Sequence, residues 1–507
     1  MKTNSRIKYT FRILTALAWL VIPVSLFAGG GSPTVLLSPV PATATLSASR
    51  APAAGVPLEL NAAVLQPGVV TAGDALIIEP SPGTIFTVLV SKISIDINGT
   101  LSWRGQVEGH PNGYFLLSAS DGQVLGSIEL PDENARYLIQ YNPAAMRHMA
   151  YDSVPTDWKE LDDAPSPVPP TNSLNVESAP QSVSDASSDS QNIDVMVVYT
   201  PNARVWAGGV SGINNVIAQV IQRGQLAIDN TAIPVTVRLV HSAEITYTES
   251  GNSGTDLTRL TATSDGYMDT VHTWRTTYAA DIVVLLEQID DTGGLGWLLS
   301  STGGQPAYAF SITRVQQASF TYTTIHEMGH NMGCHHRRDQ ATQPGPGLYP
   351  YSAGWHWTGT NAGKYASVMS YEDGGYARVA YFSSPTNYYQ GAATGTADDD
   401  NARTIQNIKG VIAAYRTAVS TNAFSFWTVA LTNNVVLRWI DPTTCGVSTR
   451  SVHIRSRTDA YPTNITDGSL VYEGTNLVHI HTNLISGQLY YYTIWVSDDG
   501  STFIDPP

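Results

Sequence analysis

Residues 326–336 read His-Glu-Met-Gly-His-Asn-Met-Gly-Cys-His-His, and the spacing within this stretch decides which fold and which site to expect. On a helix, residues i and i+4 share a face, so His326 and His330 present two imidazoles to one ion. Glu327 lies one residue further around the helix and can reach a water molecule on that ion. The first half of the stretch therefore predicts a metal site with a built-in base.

The second half of the stretch supplies a third ligand. Gly333 allows the chain to leave the helix in a left-handed conformation, which brings His336 back to the ion. Three neutral imidazoles leave a fourth position for water, as in catalytic Zn²⁺ sites. His335 adjoins His336, but the spacing H-E-x-x-H-x-x-G-x-x-H selects His336, and we expect no metal contact from His335. The alternative, a merely polar helix surface, is disfavoured because this longer pattern arises by chance with a probability on the order of 10⁻⁵.

A downstream stretch, Ser367-Val-Met-Ser-Tyr371, places a methionine after the zinc pattern. Alone, a methionine in an apolar stretch is usually core packing. Together with the zinc pattern, the stretch resembles the Met-turn of the metzincin metallopeptidases. The resemblance implies that Met369 forms an apolar floor beneath the metal and that Tyr371 lies near the metal and can bind the oxyanion. An ordinary buried tyrosine is the alternative for Tyr371.

The region 193–418 as a whole resembles the reprolysin-like proteases and the bacterial peptidyl-Asp metallopeptidases. The resemblance rests on the zinc pattern with Asn331 and on Ile193-Asp-Val-Met-Val-Val-Tyr-Thr-Pro201, Leu239-Val-His-Ser-Ala243 and Tyr381-Phe-Ser-Ser-Pro385. It implies a zinc endopeptidase that acts on protein or peptide substrates with Glu327 as general base. One departure is that Arg337-Arg338 follow the third histidine where reprolysins place Asp, so we expect different support for the zinc ligands.

Two expectations concern substrate binding. Preference for Asp at the cleavage site, which the family resemblance implies, would need a cation near the S1′ pocket, and Arg378 is one candidate. The commoner alternative is a solvated surface arginine. We expect substrate to lie extended along an edge strand, for which Ala307–Ile312 is the candidate.

The N-terminus has the pattern of a signal peptide. Four cationic residues precede an apolar run from Ile13 to Phe27, which ends in small residues, so we expect cleavage near Ala28 and a secreted product. An uncleaved anchor is the alternative, but the run is short for a bilayer span. We expect no membrane insertion after cleavage.

The remaining chain divides by composition. Short alternating runs between Leu58 and Tyr141 are typical of antiparallel β structure, whereas Asp162–Gln191 is rich in Pro, Ser, Asn and Asp and reads as an exposed linker open to activating cleavage. The expected divisions are a signal peptide over 1–28, a propeptide domain over 29–161, a linker over 162–191, a catalytic domain over 192–418 and a fibronectin type III-like module over 421–507. The fold class is thus multidomain, with an α/β (α+β) metzincin-like catalytic domain between a mostly β propeptide and a C-terminal β-sandwich.

Composition excludes several classes of partner. The chain has 507 residues and a formal net charge of -15, which disfavours nucleic acid and anionic membrane surfaces. Only Cys334 and Cys445 occur, so this is not a disulfide scaffold, and the two either pair or stay free. A structural Ca²⁺ at Asp398–Asp400 is conceivable, although such runs are more often solvated. Oligomeric state is left open, and the rival function is a secreted binding or adhesion protein with a vestigial protease domain.

Overall fold

The computed structural model describes residues 33–40, 55–66, 69–152, 160–170, 191–416, 426–430, 435–439, 451–475, 478–485, 487–497 and 503–504. The expected signal peptide over 1–28, most of the expected linker and Cys445 lie outside these residues. Cys334 is buried and has no disulfide partner among the described residues. In the part of the chain that is described, no helix is both long enough and apolar enough to cross a membrane.

The N-terminal region forms a closed barrel of nine strands. The strands are β1 (Thr34–Pro39), β2 (Val56–Leu60), β3 (Ala75–Ser81), β4 (Thr84–Ile95), β5 (Leu101–Val107), β6 (His110–Ser120), β7 (Gln123–Leu130), β8 (Ala135–Asn142) and β9 (Arg147–Tyr151). Their order is β1-β2-β9-β8-β7-β6-β5-β4-β3, and the parallel pair β1–β3 closes the ring. Large side chains such as Trp103 and Phe115 fill its core, because alternate residues of each strand point to the same side. The β-rich character predicted for this region is confirmed.

The next region mixes strands and helices. A five-stranded sheet contains β10 (Gln191–Tyr199), β11 (Val235–Glu244), β12 (Ile282–Glu287), β13 (Gly294–Gly296) and β14 (Phe310–Arg314). The helices are α1 (Pro201–Trp206), α2 (Val210–Asn230), α3 (Ser253–Thr261), α4 (Asp269–Thr277), α5 (Val315–Ala318), α6 (Thr323–Asn331) and α7 (Asn401–Ile412). Short strands follow α6: β15 (His356–Thr358), β16 (Lys364–Ala366), β17 (Ala377–Arg378), β18 (Tyr388–Tyr389) and β19 (Ala392–Ala393). The mixed α/β content predicted for the catalytic region is confirmed.

The central sheet is covered on both faces. Its order is β11-β10-β12-β14-β13, with β13 alone antiparallel to its neighbour. Val195 and Val197 of β10 face a core shared with α2 and α6, whereas Met196 and Val198 face a second core that includes α3. A continuous apolar strand is what a parallel strand buried on both faces requires.

The edge strand beside the zinc-pattern helix is β13. The helix α6 packs on both β13 and β14. However, β14 is paired with β12 on one side and with β13 on the other, so its backbone groups are already engaged. The expectation that Ala307–Ile312 forms the substrate edge is therefore wrong, because β13 covers that strand.

A buried arginine joins the barrel to the mixed α/β region. Arg223 of α2 is 1% exposed and donates hydrogen bonds to Ser127 Oγ (2.6 Å), Glu129 Oε1 (3.0 Å) and the Ser319 carbonyl oxygen (2.7 Å). Because Glu129 also pairs with Arg136, its carboxylate is held in its charged form and its pKa is lowered despite burial.

Replacing Arg223 by methionine should destabilise the fold by about 3 kcal/mol, since removal of one partner leaves a buried carboxylate undercompensated. Urea unfolding followed by tryptophan fluorescence measures the loss. The matched control is Arg204→Met, which breaks a half-exposed pair with Glu244 and should cost about 1 kcal/mol or less. Equal losses in the two variants would contradict this account of the interface.

The C-terminal region is all β in its described parts. Its strands are β20 (Phe426–Ala430), β21 (Val435–Trp439), β22 (Ser451–Arg457), β23 (Ser469–Gly474), β24 (Val478–His481), β25 (Tyr491–Ser497) and β26 (Phe503–Ile504). They form two sheets, β20-β21-β24 and β23-β22-β25-β26. Trp439 from the first sheet and Ile454 from the second share one core. The likeness to a fibronectin type III module stays a prediction.

Candidate metal centre

The helix α6 carries the first two histidines and the glutamate of the zinc pattern. His326 and His330 lie one turn apart and are completely buried, as is Glu327 between them. The helix ends as the sequence requires: Gly333 has φ +80°, and its N–H donates to the His330 carbonyl oxygen at 2.9 Å. A side chain at Gly333 would also meet Leu348, since an ideal Cβ lies 2.7 Å from Leu348 Cβ. The turn then returns His336 to the helix face.

The Nε2 atoms of the three histidines form a triangle. His326, His330 and His336 place these atoms 3.1 Å apart in every pair. Each Nδ1 faces a carbonyl oxygen: Val368 at 2.9 Å, Cys334 at 3.1 Å and Gln343 at 3.0 Å. A carbonyl oxygen only accepts, so each Nδ1 carries the proton and each Nε2 presents a lone pair. Three lone pairs that converge at this distance repel one another unless a cation lies between them.

The donor set fits zinc. Zinc–nitrogen bonds of about 2.0–2.1 Å at tetrahedral angles place ligand nitrogens about 3.3 Å apart, close to the triangle. Burial and the neighbouring imidazoles hold the pKa of His326 and of His330 well below the usual range, and lower that of His336 to about 3. The imidazoles are therefore neutral at neutral pH, which is the form that binds metal. Of the described residues, His326, His330 and His336 form the one cluster made of three histidines.

The predicted neighbour of this cluster, His335, lies outside the triangle. It is buried, and its Nδ1 accepts a hydrogen bond from the His336 backbone N–H at 2.9 Å. Burial lowers the pKa of His335 to about 4. It therefore orients the turn that carries His336.

Glu327 lies against the edge strand β13. An ideal Cβ at Gly294 would lie 2.7 Å from both Cγ and Oε1 of Glu327, so only glycine leaves room for the carboxylate there. Burial and the nearby Asp163 raise the pKa of Glu327 well above its usual value. A carboxylate in this environment is ready to hold a proton.

The methionine of the downstream stretch lies under the zinc-pattern helix. Met369 is fully buried, and an ideal Cβ at Gly329 would lie 2.5 Å from its sulfur. Val368, next in the chain, supplies the carbonyl that fixes His326. The segment thus packs against α6 and fixes His326, and the role of Met369 as an apolar floor beneath the metal stays a prediction.

Tyr371 lies beside the histidines. Its ring centroid is 4.8 Å from that of His336, and its hydroxyl donates to the Asp163 carbonyl oxygen at 2.7 Å. Burial and the carboxylates of Asp163 and Glu327 raise its pKa. The hydroxyl thus lies within the site, but it is already hydrogen-bonded to a backbone carbonyl oxygen of the same chain.

The arginines that depart from the reprolysin pattern point away from the triangle. Arg337 pairs with Asp373, and Arg338 pairs with Asp399 at 3.0 Å. Support for the imidazoles comes from backbone carbonyls, as described above. Asp399 also accepts from Thr396 Oγ1 at 2.6 Å, and Asp400 caps α7, so these two carboxylates are engaged within the chain, whereas Asp398 is exposed.

Two further charged side chains reach the site. Arg378 was expected to be a solvated surface residue or a substrate-binding cation, and its side chain is only 5% exposed, so the solvated alternative is wrong. Asp163, expected in an exposed linker, has a side chain only 1% exposed, and its Oδ2 lies 3.9 Å from Arg378 Nη1. Sequence reasoning missed Asp163 because no local pattern distinguishes it from the neighbouring acids.

Comparison with known proteins identifies relatives of the chain. Residues 189–383 match Reprolysin_5, described as metallo-peptidase family M12. Two peptidyl-Asp metalloendopeptidases of Stenotrophomonas maltophilia, from strains R551-3 and K279a, are 32% and 30% identical to it, and each alignment covers 60% of this chain and 71% of the relative. Among solved structures, metalloproteinase-II from Bacteroides fragilis covers 66% of this chain and 90% of its own at 11% identity, with a TM-score of 0.38, too low to support a conclusion on the fold.

Proposed function

Because the chain belongs to the reprolysin-like peptidyl-Asp metallopeptidase family and is a zinc metalloendopeptidase, we propose that its zinc ligands are the three converging imidazoles and its general base is Glu327. The observation that carries the proposal is the triangle of Nε2 lone pairs 3.1 Å apart. A cation shared by the three neutral imidazoles relieves the mutual repulsion of these lone pairs.

Zinc held there supplies Lewis acidity, lowering the pKa of water and polarising the scissile carbonyl. Glu327 takes the proton from the attacking water and later delivers it to the leaving amine. Burial raises its pKa above that of an exposed glutamate, which makes it a stronger base toward the water proton. Peptide hydrolysis then needs no covalent intermediate.

The edge strand β13 is the proposed binding edge for an extended substrate. An extended peptide adds its backbone hydrogen bonds to an exposed sheet edge. The carboxylate of Glu327 lies directly against Gly294, so a peptide on this edge passes the general base.

The activity is tested by casein hydrolysis and zinc content measured on one sample of the processed chain. We expect one zinc per chain and hydrolysis that stops when a chelator removes the metal. A zinc-loaded chain that leaves both casein and Asp-containing peptides intact would show that the proposed function is wrong.

Preference for Asp is proposed to depend on Arg378. The relatives are named for peptidyl-Asp cleavage, and Arg378 is a buried cation whose guanidinium lies 3.9 Å from the Asp163 carboxylate, which also lies beside His326. A substrate carboxylate at the same place would meet the guanidinium while its peptide bond lies at the metal.

Replacing Arg378 by alanine should lower kcat/KM for an Asp-containing peptide about 30-fold, since a buried hydrogen bond to a charged group contributes about 2 kcal/mol. The matching Asn peptide should change only a few-fold, and Arg378→Lys should retain part of the preference. Cleavage of a peptide library followed by mass spectrometry gives both ratios. An unchanged Asp-to-Asn ratio in the alanine variant would remove Arg378 from this role.

Export and processing complete the proposal. We propose that residues 1–28 are a signal peptide, that 29–161 are a propeptide joined by a 162–191 linker to a catalytic domain over 192–418, and that 421–507 form a fibronectin type III-like module. The apolar N-terminal run and the separate barrel support this division. N-terminal sequencing of the protein from culture medium tests it: a mature chain that begins before residue 29 would contradict it.

A further inference from the structure

Residues 160–170 lie along the edge strand β13. Three backbone hydrogen bonds join this segment to residues 293–298, which contain β13: Gly293 N–H to the Asp162 carbonyl oxygen (2.9 Å), Ala164 N–H to that of Gly294 (3.0 Å) and Leu298 N–H to that of Pro167 (2.9 Å). The pairing advances in the same direction on both sides, so the segment runs parallel to β13. It occupies the edge assigned above to an extended substrate.

Two glutamine side chains clamp the backbone of the same segment. Gln317 accepts from the Leu161 N–H at 2.9 Å and donates to the Leu161 carbonyl oxygen at 3.1 Å. Gln343 accepts from the Ser166 N–H at 2.6 Å and donates to the Ser166 carbonyl oxygen at 2.7 Å. Such paired contacts recognise a peptide backbone. The carbonyl oxygen of Gln343 also faces the His336 Nδ1, so this clamp adjoins the metal ligands.

The composition of the segment suits binding in an extended form. Asp163, Ser166 and Pro169 are its buried residues, a spacing of three that matches a polyproline II helix. Prolines restrict the chain to this conformation before it binds, which lowers the entropy cost of binding. The segment still connects the barrel to the catalytic domain, but the expectation that this linker is exposed from residue 162 is wrong over 162–170, where every third residue is buried.

The carboxylate of Asp163 is the part of the segment that reaches the metal centre. Its Oδ2 is 3.7 Å from His326 Nε2, and Asp163, His326 and Glu327 form a second possible ligand group. Neither carboxylate oxygen has a hydrogen-bond partner among the described residues, although the side chain is 1% exposed. A buried, unpaired carboxylate strongly destabilises the fold unless a cation compensates its charge. Arg378, at 3.9 Å, compensates the charge of the Asp163 carboxylate only in part. A cation bound by the converging histidine lone pairs beside Asp163 would compensate the rest.

We propose that residues 160–170 are an internal inhibitory peptide that holds the β13 edge and places the Asp163 carboxylate on the zinc as its fourth ligand. The inference rests on the proposed function in one respect, namely that zinc is held by the three histidines. With Asp163 in the fourth position, water has no place on the metal, and Glu327 is shielded from substrate. Cleavage of the chain beside this segment then permits activation.

The test uses the full chain in the Glu327→Gln background, so that self-cleavage does not intervene. Cobalt replaces zinc, because the visible absorption of Co²⁺ reports its ligands without any turnover. Asp163→Ala should change the position and intensity of the cobalt bands. Asp162→Ala, which removes the exposed carboxylate of the preceding residue, should keep the parent spectrum. If the alanine variant of Asp163 fails to fold, Asp163→Asn replaces it.

Identical spectra for the parent and the Asp163 variant would overturn the proposal. A second readout, with Glu327 restored in both chains, is peptidase activity of the uncleaved full chain, its integrity checked by intact mass: Asp163→Ala should raise it about tenfold or more over the chain that keeps Asp163. Suppose that the uncleaved Asp163→Ala chain is inactive and its cobalt spectrum is unchanged, while the processed chain cleaves peptides. This result would contradict the inhibitory role without contradicting the proposed function. A processed, zinc-loaded chain that cleaves nothing contradicts the proposed function, while the cobalt spectra still decide the placement of Asp163.

Discussion

Replacing Glu327 by alanine is expected to lower kcat/KM for peptide hydrolysis about 10³-fold while one zinc stays bound per chain. The three imidazoles do not depend on this carboxylate for their Nδ1 contacts, so the metal should be retained. What is lost is the group that takes and returns the proton beside β13. Initial rates on a fluorogenic peptide, with zinc measured on the same sample, give both quantities.

The control for the Glu327 variant is Glu327→Gln, which fills the same space against Gly294 without a basic oxygen. It should lose as much activity as the alanine variant. If either zinc-loaded variant kept its rate within about tenfold of the parent, another group would be the base, since general acid–base catalysis typically contributes 10²–10⁴-fold.

Replacing His330 by alanine is expected to abolish both zinc binding and hydrolysis. Its imidazole lies at one corner of the triangle, so the variant keeps two nitrogen ligands where a catalytic zinc site uses three protein ligands. Zinc content after dialysis should fall well below one per chain, and activity should fall at least about 10³-fold with it.

The matched control for the His330 variant is His335→Ala. His335 is also buried and lies among the other histidines. However, its Nδ1 accepts a hydrogen bond from a backbone N–H, and it does not form part of the triangle. Zinc should stay near one per chain, with activity reduced by less than about tenfold, because only the orientation of the turn is weakened. Loss of zinc in this variant with retention in His330→Ala would reverse the assignment of ligands.

The parts of the structure that depend on local pattern were predictable from sequence. The helix α2 (Val210–Asn230) carries apolar residues at helical spacing, among them Ile213, Val216 and Ile217, and the strand β12 (Ile282–Glu287) is a short apolar run. Apolar spacing and turn residues specify such elements without knowledge of the rest of the chain. The convergence of the three histidines is equally local, since one helix and one glycine turn bring them together.

The parts that depend on long-range pairing were not predictable. Closure of the N-terminal barrel requires the pairing of β1 with β3, and no periodicity in either strand encodes its partner. The three-residue strand β13 is too short to show an alternating sequence pattern. The substrate-binding edge was therefore predicted at the neighbouring strand β14. Asp163 shows the same limit, because its burial comes from a cleft formed by residues far along the chain.

The most direct test of the account is zinc K-edge X-ray absorption on the full chain. We predict one zinc per chain with only nitrogen and oxygen neighbours at about 2.0–2.1 Å and the outer scattering of three imidazoles. A sulfur neighbour at about 2.3 Å, which Cys334 would supply, or fewer than three imidazoles would contradict the assignment of His326, His330 and His336 as the metal ligands.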